Sequence, residues 1–427
     1  MESTKESDMR VVIVGAGIGG LTAALSLHAI GVTDVVVVEK ATELKPLGVG
    51  INLLPHAVRE LTELGLGERL ATIGVAPSTL TYTNRFGQEI WSEPRGAAAG
   101  YRWPQISVHR GEFQMALAAE VIGQLGADAI LLGHSLVRME HGDGYDTAVL
   151  KTAANDTVRV DADIVIGADG IHSAVRRQLH PGAPGPKWNG LTMWRGTALI
   201  EPYLDGSTMI MAGDDDQKFV AYPIGERQAD GRARVNFIAE KRVPGSLESV
   251  DWNNEVPLAP IRDLFATWRF DWLDIPSLIG SAERVLQYPM ADLDPLTSWT
   301  EGRTTLLGDA AHAMYPNGSN GSSQAILDAR TLAFHIAETG AADLALAAYE
   351  ADRRPATTAL LESTRRTGPE RVMVLARERA PLGFRNRDEI FAEGELAEIA
   401  AAYKRSAGFD PEALNRRASL TPSRPVL

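Results

Sequence analysis

The sequence predicts an α/β fold: a Rossmann-like, parallel-sheet domain interleaved with an antiparallel-sheet domain and followed by C-terminal helices. Three observations predict it. An apolar strand at residues 10–14 runs into Gly15-Ala16-Gly17-Ile18-Gly19-Gly20 and then into an Ala/Leu-rich stretch with helical spacing that ends at Ile30. Between about 188 and 290 the texture changes to alternation, as in Met209-Ile210-Met211, Phe219-Val220-Ala221-Tyr222 and Val235-Asn236-Phe237-Ile238, the mark of half-buried antiparallel strands. After Thr304-Thr305-Leu306-Leu307 the pattern is helical to about 380.

Taken in order, residues 10–14 are β-branched, apolar and stopped by glycine, and residues 35–38 form a second all-apolar strand. Such strands are buried on both faces of a parallel sheet, so strand, glycine turn, helix and strand make a βαβ unit. Residues 55–64 and 112–125 have the spacing of amphipathic helices. Residues 135–168 break into short strands with a polar turn at 141–144 and end in the apolar strand 163–167. The Pro/Gly-rich stretch 181–186 is the clearest boundary. This assigns 9–75, 100–182 and 283–350 to the first domain, 76–99 and 183–282 to the antiparallel domain, and 351–427 to a C-terminal helical segment and tail. The last twenty residues, rich in Arg, Pro and Ser, are expected to be poorly ordered.

Composition excludes several functions. A net charge of −13 over 427 residues argues against a nucleic-acid or anionic-membrane surface. The absence of cysteine removes disulfides, thiolate metal sites, a catalytic thiol and cysteine-anchored flavin. The start of the chain lacks a signal peptide's basic end and apolar core, and no run approaches the roughly 20 apolar residues of a membrane helix. A cytoplasmic protein is the expectation. Asp214-Asp215-Asp216 invites a metal reading, but no nearby histidine accompanies it and a solvated turn is the simpler account; no metal is expected. Neither an HExxH spacing nor a G-x-S-x-G elbow is present.

The glycine segment carries G-x-G-x-x-G in its required context. Gly15 permits the tight turn, Gly17 lets the backbone approach a pyrophosphate, and Gly20 lets helix and sheet pack closely, with Ile18 and Gly19 beside the phosphates at the helix start. Glu39, followed by Lys40, ends the second strand where an acid can accept a hydrogen bond from a ribose hydroxyl. This motif alone does not separate NAD from FAD.

Two later segments do. Gly167-Ala168-Asp169-Gly170-Ile171-His172-Ser173-Ala174-Val175-Arg176 follows an apolar strand and opens a helix. Leu306-Leu307-Gly308-Asp309-Ala310-Ala311-His312 also ends a strand in a glycine and an acid, and leads through Pro316-Asn317-Gly318-Ser319-Asn320-Gly321-Ser322-Ser323 into a helix. With the glycine fingerprint, these resemble the D-G and G-D motifs of the group A FAD-dependent aromatic hydroxylases, the single-chain family built like p-hydroxybenzoate hydroxylase. The resemblance covers roughly residues 10–380. Further segments, among them Leu47-Gly48-Val49-Gly50-Ile51-Asn52, Thr192-Met193-Trp194-Arg195-Gly196 and Met314-Tyr315-Pro316, are similar to its branch of phenazine-carboxylate monooxygenases of the pyocyanin pathway.

The resemblance implies a Rossmann-like domain that binds FAD without a covalent link. It places Asp309, after Gly308, at the ribitol and Pro316 beside the flavin. The amides of Gly321, Ser322 and Ser323 would face its pyrimidine edge, where reduced flavin carries negative charge that a helix N-terminus stabilises. Asp169 and Arg176 would brace the pyrophosphate region and the reductant's approach; Arg110 and Gly50 would contact the flavin. It further implies NADH or NADPH as a transient reductant, dioxygen as co-substrate and oxygen transfer through a flavin C4a-hydroperoxide, on a monomer or homodimer. For the substrate, a small aromatic or N-heteroaromatic carboxylate or phenol, Trp194, Tyr222 and Tyr288 could wall a flat pocket with Tyr315 nearby. Arg195 could hold an anionic group with its planar fork. Arg195, Pro316 and Tyr222 are the expected catalytic residues. Two other readings stay open: a flavin oxidase or dehydrogenase on the same scaffold, and a non-enzymatic FAD-fold binding module. A halogenase is disfavoured, because Trp272-Leu273-Asp274-Ile275-Pro276 lacks W-x-W-x-I-P.

Overall fold

A computed structural model describes residues 9–244, 254–366, 368–406 and 410–422. Trp252 and the chain end beyond 422 lie outside the described residues. Five parallel strands form the first sheet, in the order Thr304–Leu306, Ile164–Gly167, Arg10–Val14, Asp34–Glu39 and Ile130–Leu132. Val11, Val12 and Ile13 have no accessible surface, as expected for a strand covered on both faces, and each such side chain contributes about 1.5–3 kcal/mol through burial. The helix Ile18–Ala29 packs against the helix Gly321–Thr339 on one face of this sheet. The polar turn expected at 141–144 joins the antiparallel strands His134–His141 and Asp146–Thr152.

The second layer is an eight-stranded sheet in the order Asn254–Val256, Ala282–Asp292, Lys187–Ile200, Ala233–Arg242, Gln217–Pro223, Thr208–Gly213, Thr79–Thr83 and Glu89–Pro94. Its pairings are antiparallel except that Thr208–Gly213 runs parallel to Thr79–Thr83. The strand Ala282–Asp292 was expected with the parallel-sheet domain, yet it pairs along the long strand Lys187–Ile200. Side chains alternate across this sheet. Trp194, Phe219, Ala221, Phe237 and Ala239 fall on one face, in a core closed by the helices Leu258–Leu264 and Ile275–Gly280. Met193, Arg195, Met209, Met211, Lys218, Val220, Tyr222, Ile238 and Glu240 therefore share the other face.

The expectation of a poorly ordered tail is corrected over its described part. Asp410 Oδ1 caps the helix Pro411–Arg416 by accepting from the amides of Glu412 (3.0 Å) and Ala413 (3.2 Å), and Pro411 stands at the first helical position, where its missing N–H costs nothing. Leu414 is buried with Leu54 and Tyr101. Arg417 pairs with the buried Glu60, and Arg330 donates to Thr421 Oγ1 at 2.7 Å. The segment is anchored by charge to the helix Pro55–Glu63.

That helix also carries a pH-sensitive group. Burial, with Arg417 and Arg353 nearby, pushes the imidazole of His56 down to about 3. The unfolded chain therefore binds the extra proton between its ordinary value near 6.5 and about 3. Stability falls as pH drops through that window, by about 1.4 kcal/mol per pH unit. His56→Gln should remove one proton's worth of slope from stability measured between pH 6.5 and 4; an unchanged slope would mean His56 titrates normally.

Candidate active site

In the parallel sheet every strand points the same way, so the loops after 10–14, 34–39, 164–167 and 304–306 meet at one edge, where open α/β sheets bind ligands. These loops carry Gly15, Glu39, Asp169 and Asp309. Gly15 has φ +112°, and a Cβ there would run into the carbonyl oxygen of Ala168. A Cβ on Gly20 would strike the carbonyl of Gly15, and one on Gly19 would press on Leu307 and Ala325. At Gly17, the residue before the helix, a Cβ would meet nothing within 4 Å. No side chain caps that helix, so its first amides remain for an anion. Glu39 holds the loop in place, accepting from the amides of Ala16 (3.0 Å) and Ala41 (2.9 Å), while Lys40 is exposed beside it.

A groove of about 120 Å³ runs from Gly17 past Gly170 and Gly308 to Arg110, Asp309 and Ser322. Arg110, Asp309, Gly321 and Ser322 also line a second cavity of about 250 Å³, so the two adjoin. Asp309 and Arg110 are both exposed toward these cavities. The protein crowded around the Asp309 carboxyl raises it against the pull of His312 and Arg110. The same crowding lowers Arg110, with Asp309 opposing and Arg195 adding to the shift. Neither side chain has a hydrogen-bond partner among the described residues. Asp169 Oδ2 caps the helix Ala174–Leu179 through the amide of Ala174 at 2.6 Å, and its buried Oδ1 is left without a partner. The helix Gly321–Thr339 also begins without a side-chain cap.

These features fit FAD. The open face of Gly17 suits the pyrophosphate, Asp309 suits a ligand hydroxyl, and the uncapped helix start at Gly321 and Ser322 suits an electron-rich ring edge. Ser323 is fully buried, and its Oγ accepts from the amide of Leu54 at 3.1 Å, so its side chain locks two helices together while its amide stays at the helix start. One assignment changes. Arg176 turns away from the groove and donates to the carbonyls of Ala310 (3.2 Å), Ala311 (2.9 Å) and Asp294 (2.8 Å), bracing the turn that carries Asp309.

The second cavity lies between the eight-stranded sheet and residues 314–322, with Pro316 and Met314 on one wall and Met209, Met211, Val220 and Ile238 on the other. Arg195 and Tyr222 face into it and converge on Gly50, whose carbonyl accepts from Arg195 Nη2 (2.9 Å) and Tyr222 Oη (2.8 Å). The amide of Gly50 donates to Asn236 Oδ1 at 2.7 Å. Burial pushes the Tyr222 phenol up to about 12, so it stays a neutral donor.

Trp194 is not in this cavity. As Arg195's neighbour on a strand it points through the opposite face, and its Nε1 donates to Gln287 at 2.9 Å. Tyr288 sits behind Arg195, its ring centroid 5.9 Å from the guanidinium carbon. Tyr315 lines an outer cavity of about 490 Å³ instead.

The sequence reading missed Lys218, Glu240 and Glu370, which line both cavities. A charged pair facing each other inside otherwise apolar strands was the available signal for the first two. It also missed Asp328, whose carboxylate accepts from Gly308 N (3.0 Å), His312 Nε2 (2.6 Å) and Arg353 Nε (2.7 Å) and so fixes the G-D turn. The aspartates 214–216 form a turn: Asp214 accepts from the amides of Asp216 and Gln217, Lys241 pairs with Asp216, and Arg377 pairs with Asp215.

A parallel sheet whose glycine loop opens onto a groove, joined to a small-molecule cavity beneath a second sheet, defines a flavoprotein of the FAD-dependent oxidoreductase class. The FAD binding domain family model matches residues 8–260 and 262–364, and the chain belongs to that family and, within it, to the aromatic monooxygenases. It is 45% identical over 370 residues to the phenazine 1,6-dicarboxylic acid hydroxylase of Lysobacter antibioticus, covering 85% of this chain and 90% of the relative. It is 30% identical over 353 residues to a 6-hydroxynicotinate 3-monooxygenase of Bordetella bronchiseptica, covering 81% and 87%. Klebsiella pneumoniae HpxO, solved with FAD and uric acid, shares the fold with a TM-score of 0.71 at 23% identity, over 96% of this chain and 95% of its own.

Proposed function

We propose that this chain hydroxylates a small aromatic or N-heteroaromatic ring bearing a carboxylate or phenol, using NADH or NADPH as reductant and dioxygen as the oxygen source. The observation that carries the reading is the cavity against the sheet, walled on one side by Met209, Met211, Val220 and Ile238, into which Arg195 faces without a carboxylate partner and which shares Arg110, Asp309 and Ser322 with the groove that fits FAD. Bound FAD supplies hydride acceptance and oxygen activation. The protein's part is to hold the ring flat between Pro316 and the methionine-lined wall, to exclude water and to set the distance of the reacting carbon. Arg195 spends one N–H on Gly50, and its buried Nε is without a partner, so donors remain for an anionic group. Tyr222 keeps Gly50 and Arg195 in register. Among the described residues no helix is long and apolar enough to cross a membrane; we place the enzyme in the cytoplasm, as a monomer or homodimer.

Labelled dioxygen tests the reaction: one labelled atom in the product is expected, and label appearing only as peroxide or water would make the chain an oxidase. Arg195→Ala should leave FAD content unchanged and cut kcat/KM roughly 10- to 200-fold, the loss of a charge-assisted hydrogen bond. Arg195→Lys should recover only part, since an ammonium cannot reproduce a planar fork. A lower melting temperature with kcat/KM unchanged would reduce Arg195 to a brace for Gly50.

A further inference from the structure

The cavity faces three cations, Arg110, Arg195 and Lys218, and three carboxyl groups, Asp309, Glu240 and Glu370. They are not evenly arranged. Arg110 and Asp309 belong to the stretch shared with the groove, and Arg195 donates to the Gly50 carbonyl and lies against the Tyr288 ring. One ammonium, Lys218, then stands against two carboxyls, at 3.0 Å from Glu240 Oε2 and 2.5 Å from Glu370 Oε2. Lys218 and Glu240 are buried, and the side chain of Glu370 is 13% exposed. Three N–H donors cannot saturate four carboxylate oxygens that accept up to two bonds each. The outer cavity beyond offers little help: Lys187 pairs with Asp294, Arg365 with Asp292 and Asp294, and Arg242 donates to the carbonyls of Asn189 and Asp215. Burial and Glu370 both push the Glu240 carboxyl up against the pull of Lys218 and, more weakly, of Arg195, and with the donors of Lys218 shared between two carboxyls a further hydrogen-bond donor brought into the cavity would stabilise the cluster.

The register places the cluster relative to Arg195. Arg195 pairs with Ile238, so Glu240 lies two residues further along the neighbouring strand on the same face, and Lys218 stands opposite Glu240 on the next strand. One to two strand spacings across and two residues along the strand, about 8–12 Å between Cα positions, separate the two ends, room for a substituted aromatic ring between the side chains.

We propose that Lys218, Glu240 and Glu370 form the hydrogen-bond-accepting end of the substrate cavity, selecting rings that carry an amino, ring N–H or hydroxyl donor across from the anionic group held at Arg195. This rests on the substrate reading given above. The test uses the FAD-loaded protein and follows the flavin absorbance as 3-amino-4-hydroxybenzoate or 3,4-dimethylbenzoate is added; the second is matched in size but lacks the donors. The wild type should bind the amino-hydroxy acid at least about 10-fold more tightly, the worth of one hydrogen bond to a charged group. Glu240→Leu and Glu370→Gln should bring the two acids within about 3-fold by weakening the first alone, on the same argument. Should Glu240→Leu fail to fold, Glu370→Gln, on a short partly exposed turn, decides. Equal weakening of both acids, or no preference in the wild type, overturns the assignment while the hydroxylase reading stands. If neither acid perturbs the flavin and no aromatic acid stimulates NAD(P)H oxidation, both fall.

Discussion

Gly17→Val is expected to fold and to lose FAD, whereas Gly15→Val is expected to lose both FAD and stability. The two glycines stand two residues apart in one motif, but the structure gives them different jobs. Gly17 has φ −76° and ψ −179°, a conformation open to any residue, and a Cβ there meets nothing within 4 Å. The isopropyl group of valine would fill the space in front of the uncapped helix start, where the pyrophosphate must approach the amides. FAD affinity should drop at least about 100-fold, or about 2.7 kcal/mol, while the melting temperature measured without FAD stays within a degree or two of the wild type, as for a substitution that touches no packing. Gly15 has φ +112°, and any Cβ runs into the Ala168 carbonyl. Valine there should cost about 1–3 kcal/mol in backbone strain before the clash is counted, so the FAD-free protein itself should melt lower. Flavin content after desalting and melting with and without added FAD separate the two. A yellow, FAD-saturated Gly17→Val protein would move the pyrophosphate away from this loop.

The difference between those glycines shows what the sequence could and could not reveal. Gly15, Gly17, Asp169 and Asp309 all stand in short motifs that follow strand ends. Such signals are contiguous in sequence, and a parallel sheet necessarily gathers them at one edge. The substrate side depends instead on which face of a strand a residue occupies. Alternation was visible in 209–222, and it already meant that Trp194 and Arg195 could not wall the same pocket. Which of the two faces the flavin side was settled only by the packing of Trp194 against the helices Leu258–Leu264 and Ile275–Gly280. Glu370 reaches the cavity from a turn 152 residues beyond Lys218, a pairing no local pattern announces. The ordered segment after 410 was legible, since Asp410-Pro411-Glu412 is a capped helix start; its Arg/Pro/Ser composition obscured that.

Asp328 is the other position where a single substitution should have a large effect. It is fully buried in the helix Gly321–Thr339 and lines neither cavity, yet three donors converge on it: the amide of Gly308, His312 Nε2 and Arg353 Nε. Arg353 continues to Gln324 at 2.6 Å. The carboxylate thus ties the G-D turn to the two helices behind it and sets the direction in which Asp309 faces the groove. Asp328→Ala strands a buried arginine and imidazole, which typically costs about 3–5 kcal/mol, and it frees Gly308 to shift, so FAD affinity should fall although no ligand contact is removed. The pH dependence gives an independent check. Burial alone would raise the Asp328 carboxyl, but His312 and Arg353 outweigh it and hold it at about 2. Its ordinary value is near 3.8, so the folded state binds the proton less readily than the unfolded chain. The stabilisation is complete above about pH 4 and is lost as pH falls toward 2, worth on the order of 2–3 kcal/mol from this group. Asp328→Asn, which keeps the shape and removes the charge, should lack that acid arm in melting temperatures recorded from pH 6 down to the lowest pH at which the wild type refolds. It should also bind FAD more weakly at pH 7. An Asn variant with wild-type FAD affinity and an unchanged acid limb would show that the turn carrying Asp309 is held without Asp328.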